Sequence, residues 1–327
     1  MRVQLDPGVF ADPGLGRDVS AILDCCEQGQ HQWVIDDLDE VLASAWMQAA
    51  ASWDKELAEK TFRAAVDEPT GGGRSRLVLV VASAPASAGS PAMAGVVSCS
   101  AADARRILAR PLYLVVENAT SDWGFVRAVV ATFDRTRLAQ AIERHWLVPD
   151  QAGGSGELAK RARRLVDQGN AAWRIVVLMD SDRLAPGPVP NAVTQRIADL
   201  NALGASVITL HKREVENYLP GSLLDRERTH DAYVSWLTLS REQQDYFDVK
   251  YGFLRDEPTG AALVNDAQRA LFEGTNPWHL KRLVGGFGRR IGEQLHDGPL
   301  DRDELTAVCE TCPGELERAL DTIEELL

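Results

Sequence analysis

Three acidic residues are spaced as a divalent-cation site requires. Glu117 stands near the end of the apolar run PLYLVVEN (111–118), and Asp180 and Asp182 close a second run, WRIVVLMD (173–180), within the tetrapeptide MDSD. Residues i and i+2 of an extended chain face the same side, so both aspartates are expected to face one point. Hard cations such as Mg²⁺ take carboxylate oxygens and keep several waters. An ion held there orients a phosphate, activates water and stabilises a leaving oxygen. These residues point to a site for divalent metal, Mg²⁺ or Mn²⁺, suited to phosphodiester chemistry.

For the carboxylates to meet, their strands must run in parallel, because ligands of such sheets bind outside the carboxyl ends of the strands. The pattern from residue 101 meets that need. A short helix (101–109) precedes the strand 111–118. SDWGFVRAVVATF (121–133) is a helix with Ser121 or Asp122 near its N-cap, and RHWLVPD (144–150) is a second strand. The glycine loop GGSG (153–156) leads into the helix ELAKRARRLVDQG (157–169), stopped by Gly169. WRIVVLMD is the third strand, NAVTQRIADLNALG (191–204) a helix, and SVITLHK (206–212) the fourth strand. Strands alternating with helices predict an α/β fold with a mostly parallel sheet covered on both faces.

The flanks read differently. Residues 1–104 form an α/β unit with strands at 3–5, 32–37, 76–83 and 94–100, helices over 17–28 and most of 39–66, and a small-residue loop at 83–92. Residues 221–327 read as helical, interrupted at EPTG (257–260), GTNP (274–277) and DGPL (297–300). Three domains are expected: 1–104, 105–220 and 221–327.

In that order, LYLVVENATSD, MDSD and ITLHKREVENYLP resemble the Toprim domain, in the form found in overcoming-lysogenization-defect (OLD) nucleases and related bacterial defence proteins. The resemblance covers residues of about 106–220. Relatives usually follow the glutamate with glycine and place an aspartate four residues on; here Asn118 follows, and Asp122 stands five residues on. The resemblance implies a nuclease in which Glu117, Asp180 and Asp182 hold metal and Glu214 or Glu216 serves a second ion. It also implies that Lys212 steadies transition-state charge, while the basic helix bearing Lys160, Arg161, Arg163 and Arg164, together with Arg213, meets the phosphate backbone. An effector in anti-phage defence is the expected setting. The alternative is a Toprim scaffold without catalysis, serving as a binding or regulatory subunit. Neither a nucleophilic-tyrosine domain nor a zinc-binding segment supports a primase or topoisomerase.

VQLDPGVF, HQWVIDDLDEVLASAW and VVSCSAAD resemble a PIN-like nuclease domain, with Asp6 and Asp103 as its acids. The acid expected on the helix after the second strand falls near Ala45–Trp46, so the unit reads as degenerate, kept for structure or partner binding.

Bulk properties agree with a polyanion substrate only locally. The chain of 327 residues carries a net charge of −13. Residues 1–100 contribute −7 and 221–327 contribute −9, whereas 101–220 carry 16 basic against 13 acidic residues. Screening makes phosphate attraction local, so a basic middle can bind nucleic acid, DNA or RNA (tRNA included), on an acidic chain. Five cysteines are sparse and odd in number, which suits a reducing cytoplasm and not a disulfide scaffold. CETC (309–312) has no second pair to complete a zinc site. No apolar run nears the length of a membrane helix, and no secretory signal is apparent. No GxxxxGK[ST] loop is present, so any ATP dependence is expected from a partner ATPase or sensor protein. Self-association as a homo-oligomer is left open.

Overall fold

The computed structural model describes residues 1–34, 38–67, 78–82, 95–226, 229–296 and 298–327. The loop expected at 83–92, the ends of the strands expected at 32–37 and 76–83, and residue 297 of DGPL lie outside them. The protein has the expected α/β class, with two four-stranded parallel sheets covered by helices.

The first sheet contains β1 (Arg2–Leu5), β2 (Gln32–Val34), β3 (Val78–Ala82) and β4 (Val96–Ser100) in the order β2-β1-β3-β4, every pairing parallel. Its helices are α1 (Pro7–Ala11), α2 (Gly16–Glu27), α3 (Leu38–Ala43), α4 (Ala45–Ala49), α5 (Ser52–Asp67) and α6 (Ala101–Leu108). The helical stretch expected at 39–66 is thus three pieces. Ser44 caps α4 by accepting the Met47 amide, and such caps favour a fresh start over continuation. This unit has its own core, with Trp33 stacked on Phe62 at 4.6 Å between ring centres.

The second sheet contains β5 (Leu112–Val116), β6 (Leu147–Gln151), β7 (Ile175–Met179) and β8 (Ser206–Thr209) in the order β6-β5-β7-β8, again all parallel. The connecting helices are α7 (Ser121–Thr132), α8 (Thr136–Glu143), α9 (Leu158–Asp167) and α10 (Asn191–Leu203). Leu158, Ala162, Leu165, Val193 and Leu200 of α9 and α10 bury Val115, Ile175, Val177 and Met179 on one face. Both faces of β7 are covered, which is why its five residues are uniformly apolar.

The other face of the sheet is covered by more than α7 and α8. Leu112, Leu114, Val116, Val176 and Leu178 share one continuous core with Phe247, Phe253, Leu283, Ile291, Leu305 and Ile323. The region expected as a third domain therefore completes the core of the second sheet. It comprises α11 (Gly221–Leu224), α12 (His230–Trp236), α13 (Arg241–Tyr246), a hairpin of β9 (Leu254–Arg255) and β10 (Ala262–Leu263), then α14 (Pro277–Arg282), α15 (Arg302–Val308) and α16 (Glu315–Leu326). The expected break at 257–260 is the turn of that hairpin, with Gly260 at φ +64. Among the described residues no helix is long and apolar enough to cross a membrane.

Candidate functional site

Because β5 and β7 pair directly, with Leu114 opposite Val176 and Val115 opposite Val177, their carboxyl ends lie side by side. Glu117 directly follows β5 and Asp180 directly follows β7, and both line one cavity of about 300 Å³. The first turn of α7 adds Ser121 and Asp122, and the end of β6 adds Gln151 with the backbone of Gly153 and Gly154. Glu216 comes from the 3-10 turn Val215–Tyr218. Lys250, Arg289, Gly292 and Glu293 close the cavity from the C-terminal region.

Hydrogen bonds fix these carboxylates. Asp122 accepts the Asn118 amide at 2.9 Å and the Ser121 hydroxyl at 2.8 Å. Asp180 accepts the Val215 amide at 3.0 Å, which joins the end of β7 to the turn that bears Glu216. The REVENYL segment is the hub of this arrangement. Glu214 accepts the Val249 amide at 3.1 Å and lies 3.0 Å from the Lys250 ammonium, which is also 3.1 Å from Glu216. Asn217 donates to the carbonyls of Gln244 and Phe247 at 2.7 and 2.9 Å. Tyr218 donates to Glu315 at 2.7 Å.

Negative charge is in excess. Glu117 has its Oε1 buried without a partner, and its carboxyl is pushed up to about 7 by burial and then by the charges of Asp122 and Asp182. Burial, with Asp122 and Glu117 nearby, holds Asp180 well above the usual carboxylate range. Burial also raises Glu216, against the pull of Lys250. The Lys250 ammonium is held charged by Glu214, Glu216 and Asp180 despite its own desolvation.

Several expected residues take other roles. Asp182 does not join Asp180 in lining the cavity. The extended geometry assumed for MDSD ends at Met179, and Asp182 adopts φ +53, which turns its exposed carboxylate toward Arg196 at 3.7 Å. Its charge is still felt at Glu117. Lys212, expected to steady reacting charge, is 2 % exposed and outside the cavity. It is paired with Asp245 and donates to the Val308 carbonyl at 2.8 Å. Arg213 is half-buried against Asp248 at 2.7 Å and is not a free phosphate contact. On α9, Lys160 pairs with Glu157 and Arg161 with Asp150, while Arg163 and Arg164 are exposed. In the first sheet, Asp6 caps α1 through the Gly8 amide, and Asp103 is bound by Ser100 and Arg106. Asp6 follows β1 and Asp103 lies on α6 after β4, with β3 between those strands, and among the described residues no group of three acids gathers there.

No family model, curated protein or solved structure matches this chain. Among the described residues no three His, Cys, Asp or Glu side chains are gathered tightly enough to hold an ion as they stand. The donor set nonetheless suits a hard cation. It is all oxygen, it carries surplus negative charge, and it includes a buried oxygen with no partner. An ion would relieve the repulsion that raises Glu117 and Asp180, and would draw their carboxylates inward.

Lys250, Arg289 and Glu293 complete the cavity without having been expected there, and Asp122, one residue off the spacing of the resemblance, joins them. Asp122 had a local signal, as an acid in the first turn of a helix that follows a strand end. The other three lie in a region of weak periodicity and arrive through tertiary packing alone.

Proposed function

We propose that this chain is a metal-dependent nuclease hydrolysing phosphodiester bonds of DNA or RNA, with a Toprim-like sheet carrying the site. The observation that supports this most directly is the convergence of Glu117 and Asp180 from paired strands into one cavity that also contains Asp122, Glu216 and the Lys250 ammonium. Glu117 and Asp180 would hold Mg²⁺ or Mn²⁺, with Asp122 and Glu216 beside them. A bound ion supplies Lewis acidity to a phosphate oxygen. Glu117, whose Oε1 is buried without a partner, would orient an attacking water beside the ion. Lys250 and Arg289 bring positive charge to an otherwise acidic wall and meet the phosphate there. A role as effector in anti-phage defence, activated by an ATPase or sensor protein, belongs to the same proposal.

The test is incubation of purified protein with DNA and tRNA in Mg²⁺ or Mn²⁺. Cation-dependent cleavage is expected, falling by about 100-fold or more in Asp180→Asn and Glu117→Gln, with thermal unfolding showing that both variants fold. A second reading, a scaffold without catalysis, draws on the Lys250 pairs, which already balance Glu214 and Glu216 without an ion. Calorimetric titration with Mn²⁺ separates the two. The nuclease binds the ion and loses it in Asp180→Asn, whereas the scaffold shows no binding that depends on Asp180.

A further inference from the structure

The last third of the chain is its most acidic part, yet residues 278–290, WHLKRLVGGFGRR, contain four basic residues and no acid. The end of this run reaches the carboxylate cavity, where Arg289 is part of the lining. Its guanidinium lies over the ring of Tyr251, 5.6 Å from the centroid. Tyr251 directly follows Lys250, another lining residue, and is 50 % exposed. An aromatic ring, next in sequence to one lining residue, and the guanidinium of another therefore stand together beside the cavity.

Backbone packing holds them there. Gly252 has φ +62, and a Cβ on it would sit 2.0 Å from the Leu283 carbonyl oxygen and 2.3 Å from the Gly286 nitrogen. A Cβ on Gly286 would meet the Gly252 nitrogen at 2.6 Å. The two segments interlock without room for a side chain between them. Hydrogen bonds from Phe253 to Leu283 (3.2 Å), Phe287 to Val249 (2.8 Å) and Gly288 to Lys250 (3.1 Å) join them, and the Tyr251 amide donates to Asp248 at 2.7 Å. Such a fixed aromatic, half open to solvent beside a cation, is what a nucleobase stacks on while its phosphate meets the guanidinium. A continuous duplex keeps its base faces inside the stack and cannot offer one.

We propose that Tyr251 and Arg289 form a stacking platform for one unpaired nucleobase beside the scissile phosphate, so that the substrate is a single-stranded or looped segment of nucleic acid. This rests on the nuclease reading and narrows it to a substrate class. The platform also explains how an acidic chain retains a polyanion, since stacking needs no net positive charge.

The experiment is fluorescence anisotropy of the full chain with fluorescein-labelled dT10, rU10, an abasic ten-nucleotide strand and a fully paired DNA hairpin, in Ca²⁺ at low salt. The expected result is tighter binding of dT10 or rU10 than of the abasic strand or the hairpin, the better of the two identifying the sugar. Tyr251→Ala should weaken that binding by about 5- to 150-fold and leave the abasic strand and hairpin unchanged, while Tyr251→Phe stays within about twofold. Equal binding of dT10 by Tyr251→Ala and the parent, or equal affinity of the parent for all four probes, overturns the platform. Failure of the nuclease reading appears elsewhere: no cation-dependent cleavage occurs, while the Tyr251 effect on single strands persists in both the parent and Asp180→Asn.

Discussion

At the scale of single residues, the half-buried Glu117 carboxyl shapes the behaviour of the cavity. Its Oε1 has no hydrogen-bond partner, and burial together with Asp122 and Asp182 raises it from an ordinary 4.5 to about 7. A raised carboxylate favours the protonated folded state, so its contribution is fully present below pH 4.5 and is lost as pH climbs through about 7. The ion-free protein should therefore show a melting temperature that falls between pH 5 and pH 8. Glu117→Gln should make that fall shallower, the remainder coming from Asp180 and Glu214, which burial also raises, and millimolar Mn²⁺ should restore the parent at the alkaline end. Differential scanning fluorimetry across the range checks this. A parent profile no steeper than that of Glu117→Gln would mean that Glu117 has no raised proton affinity for a cation to relieve. Asp182 shows the limit of reasoning at this scale. The i, i+2 rule holds only while the chain stays extended, and φ +53 at Asp182 breaks it one residue after Ser181.

At the scale of elements, strand order does most of the work. β5 and β7 were readable as strands because each is a short, uniformly apolar run, and the meeting of Glu117 and Asp180 in one cavity was readable because each ends one. That β7 sits beside β5, and that β8 ends at Thr209 instead of 212, depends on pairing and not on local preference. The 3-10 turn Ile291–His296 was not readable, since nothing in IGEQLH announces that its glycine will press on a carboxylate. Yet a Cβ on Gly292 would meet Glu216 Oε1 at 2.7 Å and Ser121 Cβ at 2.9 Å, with no unusual backbone angle involved. Gly292→Ala should accordingly displace Glu216 and leave the fold nearly intact. Mn²⁺ affinity should drop by about tenfold, as when a supporting contact is disturbed, while the melting temperature falls by about 2–12 °C. Unchanged affinity in calorimetry would place Glu216 outside the cation site.

At the scale of the molecule, the C-terminal region both shares the core of the second sheet and completes its cavity, and one buried ion pair fastens the two. Lys212 and Asp245 are 2 % and 1 % exposed. Lys212 also donates to the Val308 carbonyl at 2.8 Å, and Asp245 accepts the Thr311 hydroxyl at 2.5 Å, so the segment after β8, α13 and the junction between α15 and α16 converge on this point. The same segment runs on into Glu214 and Glu216, so loosening it displaces the cavity wall. A buried pair adds little over an apolar replacement, but removal of one partner leaves a bare charge inside and costs about 3–5 kcal/mol. Asp245→Ala should thus lower stability to urea by about that amount, and should weaken Mn²⁺ binding because the turn bearing Glu216 loses its anchor. The double variant Lys212→Met, Asp245→Leu removes the stranded charge and should recover all but about 2 kcal/mol. If Asp245→Ala alone cost under about 1 kcal/mol, Lys212 would have to reach water by rearrangement, and the rigid seam between sheet and C-terminal region would not exist.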